Sequence, residues 1–259
     1  MKVTVLSDAK AKEGLLPEHG LSFYIECDQF KILLDTGASD NFKKNAGRLG
    51  IDLEKIDMMV LSHGHYDHGD GLPYLGHTTL VSHPGSFVRR YRKDGNKYLG
   101  ISMSREEVEE KFDLRTSREP VRLYDYMYFL GEIPRVNEFE TWETPYILEN
   151  GEEDYIRDDS ALAAVTANGL VVVSGCAHSG ICNIIRHAKT VTGEDRVEAV
   201  IGGFHLKEAG HRTEKTIECI KEMGIGRVYP SHCTMGPALE MFHEAFGKNE
   251  VLVGQEIFF

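Results

Sequence analysis

Apolar and polar positions alternate from the start of the chain, Met1-Lys2-Val3-Thr4-Val5-Leu6-Ser7. Two short runs rich in aromatic and β-branched residues follow, over 21–27 and 30–35, with Asp28-Gln29 between them. Such runs around a two-residue polar break predict a β-hairpin. Phe42, Ala46 and Leu49 recur at helical spacing, with Ser39-Asp40 placed to cap the helix and Gly50 behind it. Residues 58–62 are apolar on both faces, as a buried strand requires, and the run ends directly at His63. Residues 78–82 predict a further strand.

The pattern weakens from about 84 to 144, where the chain is polar and mixed in charge. We read this stretch as an insertion with one helix over 105–112, Val108 and Phe112 facing inward, and its length suits a lid or substrate-binding arm. Regularity then returns. Strands over 161–165 and 170–173 are joined by Ala167-Asn168-Gly169, and Asn-Gly is a strong hairpin signal. Helices are predicted over 181–189 and 213–223, the second stopping at Gly224, and strands over 199–202 and 228–230. Strands alternating with helices, without repeats or low-complexity linkers, argue for one layered α/β domain over residues 1–259.

Composition narrows the classes. A hydrophobic fraction of 41% over 259 residues supports a sizeable core. Lys and Arg total 29 against 41 Asp and Glu, a formal charge of −12, so no nucleic-acid partner is expected. No signal peptide is expected at the amino terminus, and no apolar run approaches the roughly 18–20 residues of a membrane span, so the expected location is the cytoplasm. Cys27, Cys176, Cys182, Cys219 and Cys233 are scattered and lack CxxC spacing, which predicts reduced thiols.

The chemistry concentrates at His63-Gly64-His65-Tyr66-Asp67-His68, with Gly69, Asp70 and Gly71 behind. Three histidines and a carboxylate within six positions, just past a buried strand, suit zinc, iron or manganese. The glycines at 64, 69 and 71 let the loop turn so that the side chains can converge. Ser174-Gly175-Cys176-Ala177-His178, Gly202-Gly203-Phe204-His205 and Pro230-Ser231-His232-Cys233 each set another histidine past a predicted strand.

His-x-His-x-Asp-His after a strand resembles the signature of the metallo-β-lactamase superfamily. The resemblance implies a four-layer αββα sandwich holding two divalent metal ions, zinc foremost, with manganese or iron as alternatives. It implies His63 and His65 at one metal and Asp67 and His68 at the other. Leu33-Leu34-Asp35-Thr36-Gly37 is similar to the superfamily's early strand-end motif, whose aspartate supports the metal loop by hydrogen bonding. With Gly131-Glu132-Ile133-Pro134-Arg135, these segments resemble most the subgroup related to archaeal dihydropterin-6-methyl-(ribofuranosyl)aminobenzene phosphate synthase, whose members are often described only as metal-dependent hydrolases.

One departure matters. Where many members carry a metal-bridging aspartate, this chain has Cys176. Either Cys176 supplies a thiolate or His178 takes over as ligand; we favour His178, because a small buried cysteine is a common filler. The upstream third-histidine motif is also missing. Asp158 and Asp159 are the nearest ligand types there, and both read as surface-turn carboxylates. His232 is expected as a ligand. His205 is open between ligand, donor to a substrate oxygen, proton carrier and structural residue. His77, His83, His187 and His243 read as structural or exposed.

The expected activity is hydrolysis of a small phosphoester, ester or related substrate by a metal-activated water, with Asp67 orienting the water and His205 serving the leaving group. A dihydropterin-type synthase with a pyrophosphate leaving group shares every ligand. A non-catalytic diiron redox or sensor protein is a third reading, but no flavin partner domain is visible in the chain. Arg89, Arg90 and Arg92, with Lys93 and Lys97, form a cationic cluster that either grips a substrate phosphate or carboxylate or is a solvated face. Tyr91 and Tyr98 either stack on a flat heterocycle such as a pterin or pack at a rim. A P-loop, a Rossmann glycine fingerprint and a Gly-x-Ser-x-Gly elbow are absent, which disfavours nucleotide-driven and serine-nucleophile chemistry.

Overall fold

The computed structural model describes residues 1–140 and 143–259. The chain forms two compact units: Met1–Arg118 with Thr144–Asp158 and Leu252–Phe258, and Glu119–Glu143 with Asp159–Val251 and Phe259.

The first unit is built on a seven-stranded sheet in the order Glu256–Phe258, Lys2–Ser7, Ser22–Cys27, Phe30–Leu34, Met58–Val60, Thr79–Ser82, Asp113–Thr116. The predicted hairpin is present, and Asp28 takes the left-handed conformation its turn needs (φ 54°). From Phe30–Leu34 onward the pairing is parallel, so every strand must be re-entered by a crossover. The first crossover carries helix α1 (Asn41–Arg48), which buries Phe42, Asn45 and Ala46. Ser39-Asp40 stands at its start as expected: Asp40 is the N-cap and pairs with Lys44, while Ser39 Oγ accepts from the Asn41 N–H. Phe42 and Ala46 join Leu33, Met59, Leu61, Leu72 and Leu80 in one buried cluster. Because the parallel strands run in register, Leu34 opposite Val60 and Val60 opposite Val81, Asp35, His63 and His83 all leave the sheet at its carboxyl edge.

The second unit carries a six-stranded sheet in the order Arg227–Pro230, Val197–Gly202, Gly169–Ser174, Ala161–Thr166, Met127–Phe129, Val121–Tyr124. The Asn168-Gly169 hairpin is present, and the strands ending at Ser174, Gly202 and Pro230 are parallel. Register sets Val173 beside Ile201 and Gly202 beside Pro230, so the segments bearing Cys176, His205 and His232 also emerge at one carboxyl edge.

Described residues of the stretch 84–144 join both sheets. Residues 141 and 142 of it lie outside the described residues. Its helix is present as α3 (Arg105–Lys111, following α2 at Tyr66–Gly69), started by a capping box between Ser104 and Glu107. The rest supplies strands: Asp113–Thr116 extends the seven-stranded sheet, and Val121–Tyr124 and Met127–Phe129 extend the six-stranded one. Strands of three or four residues carry too little alternation to be read as strands.

Helices α4 (Ile181–Thr192), α5 (His211–Glu222) and α6 (Gly236–Phe246) bury Ile184, Ile185, Ile220 and Phe242 in the core of the second unit. Among the described residues no helix is long and apolar enough to cross a membrane.

Candidate metal centre

In the first unit the residues after Val60 are almost sealed from solvent: His63 and His68 are fully buried, His65 and Asp67 nearly so. His65 stands just before α2, so Asp67 and His68 project from one short helical turn. The His63 and His68 rings lie 4.2 Å apart, and His63 Nε2 is 2.9 Å from His65 Nδ1.

Hydrogen bonding fixes which nitrogens carry lone pairs. The buried Asp35 carboxylate accepts from the Ser62 N–H and the Ser62 hydroxyl, each at 2.7 Å, and lies 2.6 Å from His68 Nδ1. A carboxylate only accepts, so His68 Nδ1 bears the proton and its Nε2 keeps a lone pair. Having given its single proton to Asp35, the Ser62 hydroxyl can only accept from His63 Nδ1, 2.9 Å away. His63 Nε2 is therefore also a lone pair, turned toward His65. Two nitrogen donors on one tetrahedral zinc at ~2.05 Å stand roughly 3.3 Å apart, close to the His63–His65 separation. Asp67 is braced by His19, whose Nε2 lies 3.3 Å from the carboxylate.

The backbone is held as tightly. The Gly64 N–H donates to Asp158 at 2.7 Å, and a Cβ at position 64 would lie 1.8 Å from the Ser86 carbonyl oxygen, so only glycine fits. Asp158 also receives Arg90 Nη2 at 2.7 Å, and Arg90 Nε lies 3.2 Å from Asp154. Two expectations are corrected here. Asp158 is buried, not a surface-turn carboxylate, and Arg90, 1% exposed, is paired with two carboxylates rather than lying on a solvated face. Arg89 and Arg92 are exposed and pair with Glu149 and Asp94, Lys93 pairs with Glu153, and Lys97 Nζ lies over the Tyr66 ring. Tyr91 and Tyr98 pack edge to face on each other. His77 and His83 hold backbone: Nδ1 of each contacts the Lys111 carbonyl and the Gly85 N–H, respectively.

In the second unit Cys176, His178, His232 and Cys233 are buried. The donor atoms of Cys176, His232 and Cys233 lie within 4.8 Å of one another, and the His178 and His205 rings are 4.4 Å apart. The His205 N–H donates to Cys233 Sγ at 3.2 Å, fixing one strand end to the next. Asp159, also expected in a surface turn, is buried instead and accepts from both the backbone and the hydroxyl of Ser179, next to His178. Burial pushes its carboxyl up to about 6 against the lowering effect of Ser179. Ala177, His205 and His232 all hold positive φ near 50°, as Asp35 does at 58° in the first unit. Side-chain-bearing residues avoid that region, and strain kept at strand ends marks segments whose conformation serves a site. Imidazole, carboxylate and thiol donors of this kind fit a divalent cation.

The fold and the motif together define a class. The family model of the metallo-beta-lactamase superfamily matches residues 15–85. The chain belongs to that superfamily. It is 35% identical over 250 residues to the 7,8-dihydropterin-6-methyl-4-(beta-D-ribofuranosyl)-aminobenzene-5'-phosphate synthase of Methanocaldococcus jannaschii, covering 88% of this chain and 85% of that protein. An uncharacterized protein of the same organism is 32% identical over 248 residues, covering 92% of each. Among solved structures, a metal-dependent hydrolase of the beta-lactamase superfamily aligns with a TM-score of 0.88 and 32% identity over 100% of this chain and 99% of the other. Proteins of this fold bind divalent metals.

Proposed function

We propose that this protein is a metal-dependent hydrolase in which His63, His65, Asp67 and His68 of the first unit, and His178 and His232 of the second, are metal ligands. The lone pairs that Asp35 and Ser62 fix on His63 and His68 carry this reading. Bound divalent metal would lower the pKa of a coordinated water toward neutrality and offset charge on the attacked oxygen. Asp67, held by His19, would orient that water while ligating metal. His205 would protonate or steady the leaving group. The substrate is a small phosphoester, ester or related molecule, and the metals are two ions of zinc, with manganese or iron as alternatives.

Similarity to the Methanocaldococcus jannaschii synthase supports a second reading, in which metals held by the same ligands would bind the pyrophosphate leaving group of a dihydropterin diphosphate while a carbon–nitrogen or carbon–carbon bond to a second organic substrate forms. Anaerobic purification with elemental analysis, then a panel of phosphomono- and phosphodiesters, lactones and dihydropterin diphosphate, separates the two. Hydrolysis needs only water, whereas synthase chemistry releases diphosphate only when the second substrate is present. His65→Ala and Asp67→Ala are expected to lose metal and turnover together. Full metal content and full rate in either variant would overturn the ligand assignment.

A further inference from the structure

Away from the metal loop, the first unit holds a cavity of about 530 Å³, a size common among small-molecule sites. Its floor belongs to the sheet face that carries α1: Thr4 of Lys2–Ser7 stands directly opposite Tyr24 of Ser22–Cys27. Leu49 and Ile51, on the segment that leaves α1, line it with apolar surface. Lys31 lines it too, near the start of the strand Phe30–Leu34, whose far end delivers Asp35. Four extended residues span about 13 Å, so the cavity lies at the edge of the sheet opposite the metal loop.

One buried atom in it is left without a bond. Thr4 is 1% exposed, and its hydroxyl has no hydrogen-bond partner within the protein. A buried hydroxyl in that state costs stability, and such groups are rare unless something outside the chain satisfies them. Its neighbour Tyr24 stays protonated, because burial, then the charge of Glu26, pushes the phenol up to about 12. Both hydroxyls can therefore donate.

The charges around this floor do not cancel pair by pair. Lys2 is shared between Glu26 at 2.5 Å and Glu256 at 3.1 Å, so one ammonium faces two carboxylates. Lys55 and Asp52 offset each other at 3.0 Å. Lys31, directly across the hairpin from Glu26, forms no ion pair among the described residues. The lining thus keeps one negative charge in excess on one side and one positive charge beside it. A molecule carrying a single charge answers only half of that arrangement.

We propose that this cavity binds an α-amino acid with an aliphatic side chain. The carboxylate takes Lys31 and the hydroxyls of Thr4 and Tyr24, the ammonium takes the carboxylates that share Lys2, and the side chain lies against Leu49 and Ile51. None of these residues is among the proposed metal ligands, so the inference does not depend on that assignment.

The test is isothermal titration calorimetry of the purified protein with L-leucine, L-isoleucine and L-valine, and with two analogues that each keep one charge, 4-methylpentanoate and 3-methylbutylamine. At least one of the amino acids should saturate the protein with a dissociation constant of roughly 1 mM or tighter. Each analogue should bind at least about tenfold more weakly than leucine, the size of one lost hydrogen bond to a charged group. Lys31→Met should weaken amino-acid binding by a similar factor. Thr4→Val should weaken it several-fold while leaving the melting temperature of the ligand-free protein unchanged or higher, because the substitution removes a buried hydroxyl that has no partner in the fold. Failure of all three amino acids to saturate, an analogue binding as tightly as leucine, or parent affinity in Lys31→Met would overturn the proposal. The titrations of the unsubstituted protein decide the first two outcomes, so a variant that folds poorly does not obscure them.

Discussion

At the scale of single residues, Asp35 and Ser62 decide the chemistry of their neighbours without needing to touch a metal. The carboxylate takes three donors, and two of them, the Ser62 hydroxyl and His68 Nδ1, settle where the protons sit on His63 and His68. Removing such an orienting partner typically weakens metal affinity about 10–100-fold. Ser62→Ala and Asp35→Asn are each expected to show a loss of that size in a competition titration against a chromophoric chelator, with folding retained; parent affinity in both would mean that the relay does not tune the histidines. The motif at 63–68 was legible because its chemistry sits in consecutive residues after an apolar strand. Sequence shows the charge of Asp158, Asp159 and Arg90 but not their burial. An aspartate before a hairpin reads as a turn residue until Arg90 and the Gly64 N–H are seen on it. His19 was missed for a related reason: its link to Asp67 spans residues that nothing in the pattern connects.

Elements are held by buried charge as much as by apolar packing. Breaking a buried ion pair by removing one partner costs about 3–5 kcal/mol, because the survivor is left uncompensated. Arg90→Met should therefore lower unfolding free energy by about that amount in urea titrations, more than removal of the exposed Arg89. Glu140 plays a comparable part in the second unit, where its carboxylate accepts from the Cys182 and Asn183 N–H groups at the start of α4 and from Asn137. Burial raises this carboxyl above its ordinary value, against those hydrogen bonds. The folded state thus binds the proton more tightly than the unfolded chain does. The corresponding stability is fully present below the unfolded carboxyl value of about 4.3 and is lost as pH rises through the raised one. Relative to Glu140→Gln, the wild type should lose stability as pH rises from about 4, in unfolding titrations across that range; a constant difference would exclude the linkage. Long elements were readable from their periodicity, α4 and α5 among them. Helix α6 was not foreseen, and the strands of 84–144 are too short to display a period.

For the molecule as a whole, any ion that binds the folded state alone adds to stability by mass action, about 2.7 kcal/mol at a hundred times its dissociation constant. At about 2–4 °C per kcal/mol for a chain approaching this size, chelation should lower the melting temperature by roughly 5–10 °C. Differential scanning calorimetry with and without a chelator, followed by zinc add-back, checks it; an unchanged transition in protein shown to hold metal would contradict the expectation. The α/β class followed from alternating strands and helices, but the division into two units did not. Each unit draws on separated stretches of chain, and no linker composition marks where one gives way to the other.

The pairing of Lys2–Ser7 with Glu256–Phe258 bears on how the protein is made. A ribosome delivers the opening strand of the first sheet long before the strand that flanks it, so that edge waits with its hydrogen-bonding groups unmatched while the intervening residues are synthesised. A nascent chain halted before Leu252 would leave this border bare, a place where another unfinished copy could attach.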